Sequence, residues 1–248
     1  MILPPTRKVL STIQKHGVKA LLMGGQACIL YGAVEISVDT DIAVLVNREN
    51  LEALSRALAE LEAERIAVPP FDAAYLERGH FVHFRCFHPE ANRQRLDIAS
   101  RMRGVSPFGV LWERRAILAD DDGTEYAALS LADLVQSKKT QRDNDWPVIR
   151  RLIEADYRLR RRNPSELDVQ FWFLELRTPE LLIELARDFP TAQRSLVSAR
   201  PLLAQASAET QHLLERELVE EELAERATDR AHWAPLKKEL EELRRLRS

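Results

Sequence analysis

The sequence predicts an α+β protein, in which a mixed sheet with flanking helices is followed by an all-helical C-terminal region. Short apolar segments bounded by glycine or polar turns recur between residues 18 and 100, and such segments are typical of strands. A leucine- and alanine-rich segment with helical spacing lies among them. From Trp146 onward the strand-like segments stop, and segments rich in leucine and charged residues predict helices as far as Ser248.

Helix and strand signals alternate at the beginning of the chain. A proline pair precedes a segment with apolar residues at helical spacing, and Gly17 follows it, which predicts the first helix. Residues 18–23 are apolar and bounded by glycine, so we expect a buried strand there. A short helix is predicted after Gly25 and a second strand over residues 38–46. Asn47 then begins an amphipathic helix.

The middle of the chain predicts a hairpin and further helices. Residues 81–87 and 95–100 have strand-like patterns and are joined by a polar turn. Residues 107–117 predict a short helix, and Ser130 is a suitable N-cap for the helix after it. The segment around Pro164 is the best candidate boundary.

We therefore expect three parts in the chain. Residues 1–128 form a core, residues 129–163 form a helical segment that completes its cleft, and residues 164–248 form a C-terminal helical domain. A length of 248 residues allows one large domain with such a helical appendage.

Composition narrows the function classes. The formal net charge of −3 gives no sign of general nucleic-acid binding. Cys28 and Cys86 lie inside apolar segments, which predicts buried, reduced thiols and no zinc site. Prolines and charges interrupt the N-terminal segment too early for a signal peptide, and no apolar run reaches the roughly 20 residues that cross a bilayer. We expect a cytoplasmic protein with no membrane partner.

Two aspartates interrupt the second predicted strand. Asp39 and Asp41 are two residues apart, so both side chains leave the same face of the sheet, about 7 Å apart along the strand. Ionised carboxylates that close repel each other, and a pair of Mg²⁺ ions is one way to offset the repulsion. Asp97, the only acid in the strand over residues 95–100, is the candidate third ligand.

Two adjacent glycines lie between the first strand and the short helix. The chain has only 8 glycines, and Gly24 and Gly25 leave the backbone N–H groups of this turn unobstructed. Such groups can bind an anion, so the turn and the carboxylates together suggest a nucleoside triphosphate site. A simple tight turn is the alternative reading of the glycines.

These motifs together resemble a known family. The run GGQACILYG followed by SVDTDIAV is similar to the signature of the nucleotidyltransferases of the DNA polymerase β superfamily, and especially to the bacterial AbiEii/AbiGii toxin-like group. The resemblance implies a minimal nucleotidyltransferase core over roughly residues 18–152. By this resemblance Gly24 and Gly25 form the phosphate-binding turn, and Asp39, Asp41 and Asp97 are the catalytic, metal-binding carboxylates.

Further positions follow from the same resemblance. Ser37 begins the Ser-x-Asp-x-Asp run, and Lys138 and Lys139 match a lysine-bearing helix that contacts the triphosphate. Adjacent residues on a helix point about 100° apart, so we expect one lysine to face the site and favour Lys138. Glu35 and Ile36 depart from the family pattern, because many relatives carry arginine there.

The resemblance implies an enzyme that uses Mg²⁺ or Mn²⁺ to move a nucleoside monophosphate from an NTP to an acceptor. RNA ends such as tRNA, or protein side chains, are the implied acceptors. A growth-arresting or phage-defence toxin with a separate antitoxin protein is the implied context. The alternative is a catalytically silent nucleotide sensor or partner-binding module, against which the retention of all three carboxylates argues.

Two other features carry weaker hypotheses. The arginine-rich run over residues 158–162 is equally well explained as a contact for a nucleic-acid backbone or as a charged helix face. His80, His83 and His88 alternate around a strand, and we expect them to be scattered surface residues, not a metal site.

Overall fold

A computed structural model of the protein describes residues 2–33 and 37–247. Glu35 and Ile36, the departure from the family pattern, lie outside the described residues. The chain forms two compact units, one of residues 1–138 with 231–248 and the other of residues 139–230. The three-part division expected from the sequence stays a prediction.

The first unit contains a mixed sheet and the helices around it. In chain order its strands are β1 (Ala20–Met23), β2 (Asp39–Val44), β3 (Glu64–Arg65), β4 (Val82–Arg85), β5 (Arg95–Ala99), β6 (Ala116–Ala119) and β7 (Glu125–Ala128). Its helices before residue 139 are α1 (Pro4–Lys15), α2 (Gly24–Leu30), α3 (Arg48–Glu60), α4 (Ala73–Arg78), α5 (Phe108–Glu113) and α6 (Leu131–Lys138), with a 3₁₀ helix at Pro89–Ala91. The predicted α+β class is confirmed.

Within the described residues the sheet has seven strands in the order β3-β4-β5-β2-β1-β7-β6. β2 is antiparallel to β1 and parallel to β5, while β5 is antiparallel to β4, as the predicted hairpin requires. The three strands β5, β2 and β1 are therefore neighbours in the middle of the sheet. Their buried side chains, among them Leu21, Ile42 and Ile98, belong to the core.

The predicted starts of α1, α3 and α6 are confirmed by the residues at those positions. Pro4 and Pro5 occupy the first positions of α1, where a missing N–H costs nothing. The side chain of Asn47 accepts from the backbone N–H of Asn50 at 2.8 Å and caps α3. Ser130 Oγ accepts from the N–H of Asp133 at 3.2 Å at the start of α6.

One predicted helix is partly wrong. The helix expected over residues 107–117 ends at Glu113, and Ala116–Ala119 forms β6 instead. β6 pairs antiparallel with β7, which gives its backbone N–H and C=O groups the partners that a helix would otherwise supply. The two cysteines are buried and are not joined by a disulfide, as predicted.

All the regular secondary structure in the described residues of the second unit is helical. Its elements are α7 (Asp145–Arg160), α8 (Glu166–Glu175), α9 (Pro179–Asp188), α10 (Pro190–Leu196), 3₁₀ helices at Pro201–Gln205 and Ala208–Thr210, and the start of α11 (Gln211–Arg247). The predicted all-helical C-terminal region is confirmed. Among the described residues, none of the helices is both long enough and apolar enough to span a membrane.

The arginine-rich run at the end of α7 forms ion pairs within the second unit. Arg158 contacts Glu154, Arg160 contacts the carboxylates of Asp156 and Asp168, and Arg161 contacts Glu184; all four pairs lie on or near the surface. These pairs favour the charged-helix explanation over the nucleic-acid contact.

The part of α11 from residue 231 onward belongs to the first unit. Its Glu239 accepts from Arg78 at 2.8 Å and lies 2.6 Å from His80 Nε2, and its Trp233 ring lies 6.0 Å from the Phe81 ring. His80 is completely buried, so the prediction of a surface histidine is wrong at this position. Its ring contacts a carboxylate that lies far along the chain, in α11.

Candidate active site

The three predicted carboxylates come from neighbouring strands. Asp41 on β2 lies directly opposite Asp97 on β5 in the parallel register, with the two strands roughly 4.8 Å apart. Residues that are directly opposite in a sheet point to the same face, and Asp39 shares that face because it is two residues from Asp41. The sheet therefore presents Asp39, Asp41 and Asp97 side by side.

Burial differs among the three carboxylates. Asp39 and Asp41 are partly exposed, whereas Asp97 is only 7% exposed. The strand around Asp97 is buried on both faces, since Leu96 through Ala99 are all buried. A carboxylate in such surroundings needs a partner for its charge.

Gly24 is required by the close approach of Asp41. Gly24 has a φ of +64°, which favours glycine, and a Cβ at this position would lie 2.5 Å from Asp41 Cγ. At Gly25 a Cβ would lie 2.5 Å from Ser37 Oγ. The glycine pair is thus more than a tight turn, because it makes room for two side chains of the predicted site.

Gln26 fixes this turn to the beginning of β2. Its side chain is almost completely buried, and Nε2 donates to the carbonyl oxygen of Ser37 at 2.9 Å. Ser37 Oγ in turn donates to the carbonyl oxygen of Asp39 at 3.2 Å. These hydrogen bonds hold the Gly24–Gly25 turn and the Asp-x-Asp strand against each other.

Two nitrogen-bearing side chains contact Asp97. Arg95 Nε donates to Asp97 Oδ1 at 2.8 Å, and His83 Nδ1 lies 2.9 Å from the same oxygen. Burial tends to raise the pKa of Asp97, but the contacts with His83 and Arg95 outweigh it and lower that pKa. The hydrogen bond to Asp97, together with the charges of Asp97, Asp39 and Asp41, raises the pKa of Arg95.

His83 has two ways to take part in this cluster. Its Nδ1 lies 3.2 Å from Arg95 Nη2 as well as 2.9 Å from Asp97 Oδ1. A protonated imidazole donates from Nδ1 to Asp97, whereas a neutral ring with its proton on Nε2 accepts from Arg95. His83 stays partly exposed, with 26% of its side chain accessible, and the hairpin register places it directly opposite Asp97.

The two predicted lysines belong to different units. Lys138 is the last residue of α6 in the first unit and is 8% exposed. Lys139 belongs to the second unit, where its ammonium group contacts the Glu175 carboxylate at 2.9 Å. Their triphosphate contacts stay a prediction.

The residues present fit a magnesium ion by their chemistry. Carboxylate oxygens are the ligands that Mg²⁺ prefers, and the missing side chain at Gly24 gives Asp41 the room to reach inward. In the described conformation no three His, Cys, Asp or Glu side chains, counted over residues 2–33 and 37–247, already form a group that could hold a metal ion. One oxygen of Asp97 is engaged by Arg95 and His83 instead.

Comparison with known proteins gives distant likenesses. No family model and no curated protein matches the chain. Among solved structures, JHP933 from Helicobacter pylori has 13% sequence identity and a TM-score of 0.37, with 98% of this chain and 95% of that chain covered. A protein described as "putative nucleotidyltransferase from H. pylori" has 14% identity and a TM-score of 0.36, with 96% and 94% covered. Both likenesses are too distant to assign this chain a fold or a function.

Sequence reasoning missed Arg95 and His83. A signal for Arg95 was present, because it stands two residues before Asp97 and strand spacing places both side chains on one face. His83 could be found only with the register of β4 against β5, which the sequence does not fix.

Proposed function

We propose that the chain is a metal-dependent nucleotidyltransferase. The observation that carries the proposal is the register of β2 and β5, which sets Asp41 beside Asp97 and leaves Asp39 on the same face. Three carboxylates from two adjacent strands suit metal ions that bridge a triphosphate. Few purely structural roles require three carboxylates on one face, because their like charges repel.

The substrates follow from the chemistry of this face. The Gly24–Gly25 turn, with Ser37 against it, would hold the phosphates of an NTP, and Asp39, Asp41 and Asp97 would hold Mg²⁺ or Mn²⁺. Bound metal would lower the pKa of the acceptor hydroxyl and neutralise charge on the leaving pyrophosphate. The acceptor oxygen bonds to the α-phosphorus, the bond from that phosphorus to the bridging oxygen breaks, and the hydroxyl proton passes to solvent. Lys138 or Lys139 would contribute a further phosphate contact.

RNA ends such as tRNA, or protein side chains, are the acceptors that we propose. A growth-arresting toxin of a toxin–antitoxin or phage-defence system, acting in the cytoplasm and held in check by an antitoxin protein, is the corresponding biological role. Support for this context comes from the resemblance of the GGQACILYG and SVDTDIAV runs to the AbiEii/AbiGii group.

A catalytically silent nucleotide sensor is the second candidate. The observation that favours it is the contact of Asp97 with Arg95 and His83, because a sensor never has to break these contacts. An enzyme has to open that pairing, whereas a sensor binds nucleotide without doing so.

Label transfer distinguishes the two candidates. The purified full chain would be incubated with Mg²⁺, total cellular RNA, a protein extract and each α-labelled NTP in turn. Asp39→Asn and Asp97→Asn remove site carboxylates, and Asp188→Asn makes the same chemical change at an ion pair in the second unit. A parallel thermal-shift measurement, with and without Mg²⁺, reports nucleotide binding independently of transfer.

Three outcomes are informative. Label in RNA or protein with the wild type and Asp188→Asn, but not with the site variants, supports the transferase and identifies its acceptor. Metal-dependent binding without transfer favours the sensor. Neither binding nor transfer with any NTP overturns the proposed site.

A further inference from the structure

The face of the sheet that bears the carboxylates also bears a cation. Arg95 lies directly opposite Asp39 in the β2–β5 register and two residues before Asp97 on its own strand. Its side chain therefore leaves the same face as all three carboxylates. Arg95 Nε donates to Asp97 Oδ1 at 2.8 Å, so the cation is hydrogen-bonded to the most buried of the three.

We propose that Arg95 is the resident counter-cation of this site and competes with the divalent metal for Asp97. The inference rests on the proposed function, because the competition exists only if the carboxylates bind metal. Before metal binds, the guanidinium offsets part of the negative charge of the carboxylate face. For Asp97 to become a metal ligand through Oδ1, the hydrogen bond from Arg95 Nε has to break.

Burial explains why a counter-cation is needed. The Asp97 side chain is 10% exposed, and a carboxylate so far removed from water is costly unless it is paired and hydrogen-bonded. Asp41 directly opposite adds like-charge repulsion. Arg95 offsets both the burial cost and the repulsion, since it supplies a positive charge that does not titrate and an N–H donor aimed at the carboxylate.

Exposure explains how the counter-cation can leave. The Arg95 side chain is 38% exposed, so its guanidinium reaches solvent without crossing the core. A planar group with several N–H donors is also well suited to phosphate oxygens. A displaced Arg95 thus has a new partner when a triphosphate arrives with the metal, and we expect the two ligands to strengthen each other's binding.

Arg85 provides a matched control. It lies directly opposite Arg95 in the β4–β5 register and shares its face of the sheet. Its Nε is buried and has no hydrogen-bond partner among the described residues. Removing Arg85 subtracts the same charge from the same face but leaves the hydrogen bond between Arg95 and Asp97 in place.

The test measures binding of Mn²⁺ alone to the full chain, by loss of the free-ion electron paramagnetic resonance signal. The variants are Arg95→Gln, Arg95→Lys, Arg85→Gln and Asp39→Asn, each checked for cooperative thermal unfolding. A charge-assisted hydrogen bond that no longer has to break corresponds to about a tenfold lower dissociation constant for Mn²⁺ in Arg95→Gln. Arg85→Gln should change the constant much less, and Arg95→Lys should fall between wild type and Arg95→Gln.

The outcomes separate this inference from the proposed function. If Arg95→Gln binds Mn²⁺ no more tightly than wild type, while Asp39→Asn abolishes binding, the competition is refuted and the metal site stands. If wild type and Asp39→Asn both fail to bind Mn²⁺, the metal site itself fails. Should Arg95→Gln not fold, Arg95→Lys decides, because an affinity equal to or below that of wild type contradicts the competition.

Discussion

The contact between Gly24 and Asp41 gives the most direct prediction. In Gly24→Ala the new Cβ would lie 2.5 Å from Asp41 Cγ, whereas ordinary contacts begin near 3.4 Å. The carboxylate therefore has to retreat by about 1 Å, and a displacement of about 1 Å at a reacting site can reduce rates about 10²-fold. The substitution also places alanine at a φ of +64°, which costs about 1–2 kcal/mol of folding free energy.

Gly17→Ala separates these two effects. Gly17 has a φ of +69°, close to that of Gly24, but a Cβ there would have no neighbour within 4 Å. Both variants should therefore lose a similar free energy of unfolding through the backbone, on the order of 1–2 kcal/mol. Only Gly24→Ala should also lose the extra stability and the function that depend on the position of Asp41.

The assays are urea unfolding for stability, and Mg²⁺-dependent nucleotide binding and label transfer for function. We expect transfer by Gly17→Ala at near the wild-type rate and transfer by Gly24→Ala about 10²-fold slower. If both alanine variants transfer label equally well, the close approach of Asp41 to Gly24 is unimportant, and the reasoning about this turn is wrong.

Three further predictions concern stability. Burial raises the pKa of Cys86 from 9.0 to about 11. The contribution of this thiol to the free energy of unfolding is therefore fully present below pH 9 and is lost between pH 9 and pH 11, by about 1.4 kcal/mol per pH unit. Unfolding of Cys86→Ala measured against pH should lack this loss, and a slope equal to that of the wild type would contradict the assignment. The buried side chain of Asn50 accepts from the backbone N–H of Lys19 and donates to the backbone carbonyl oxygen of Lys19. Asn50→Ala should therefore lower the free energy of unfolding in urea by about 3 kcal/mol. A loss below half of that would show that water replaces the side chain. Glu239→Ala leaves buried His80 without its carboxylate and should cost about 1–3 kcal/mol, whereas Glu241→Ala at an exposed position of the same helix should cost almost nothing.

Local signals made much of the fold predictable. The proline start of α1, the Asn47 cap and the strong helical period of α3 depend on residues a few positions apart, which a sequence shows directly. Strand spacing likewise placed Asp39 and Asp41 on one face. The hairpin of β4 and β5 was predictable because a short polar turn joins its strands.

What the sequence could not predict depends on contacts between distant segments. Whether the short apolar run at Ala116–Ala119 is a strand or a helix end is decided by its pairing with β7. Glu239, the partner of His80, lies 159 residues further along the chain, and no local sequence pattern predicts this contact. The pairing of His83 with Asp97 needs the strand register as well. The candidate site was thus predictable in its carboxylates and glycines but not in the cations that neutralise it.

The return of α11 to the first unit also affects the order in which the protein can be made. A ribosome completes the strands β1–β7 long before it reaches Ala231, and the whole second unit is synthesised in between. Until Glu239 emerges, His80 and Arg78 lack the carboxylate that they share in the finished fold. A nascent or prematurely terminated chain therefore lacks the contacts of Arg78 and His80 with Glu239, and quality-control proteases can discriminate it from the finished product by its lower stability.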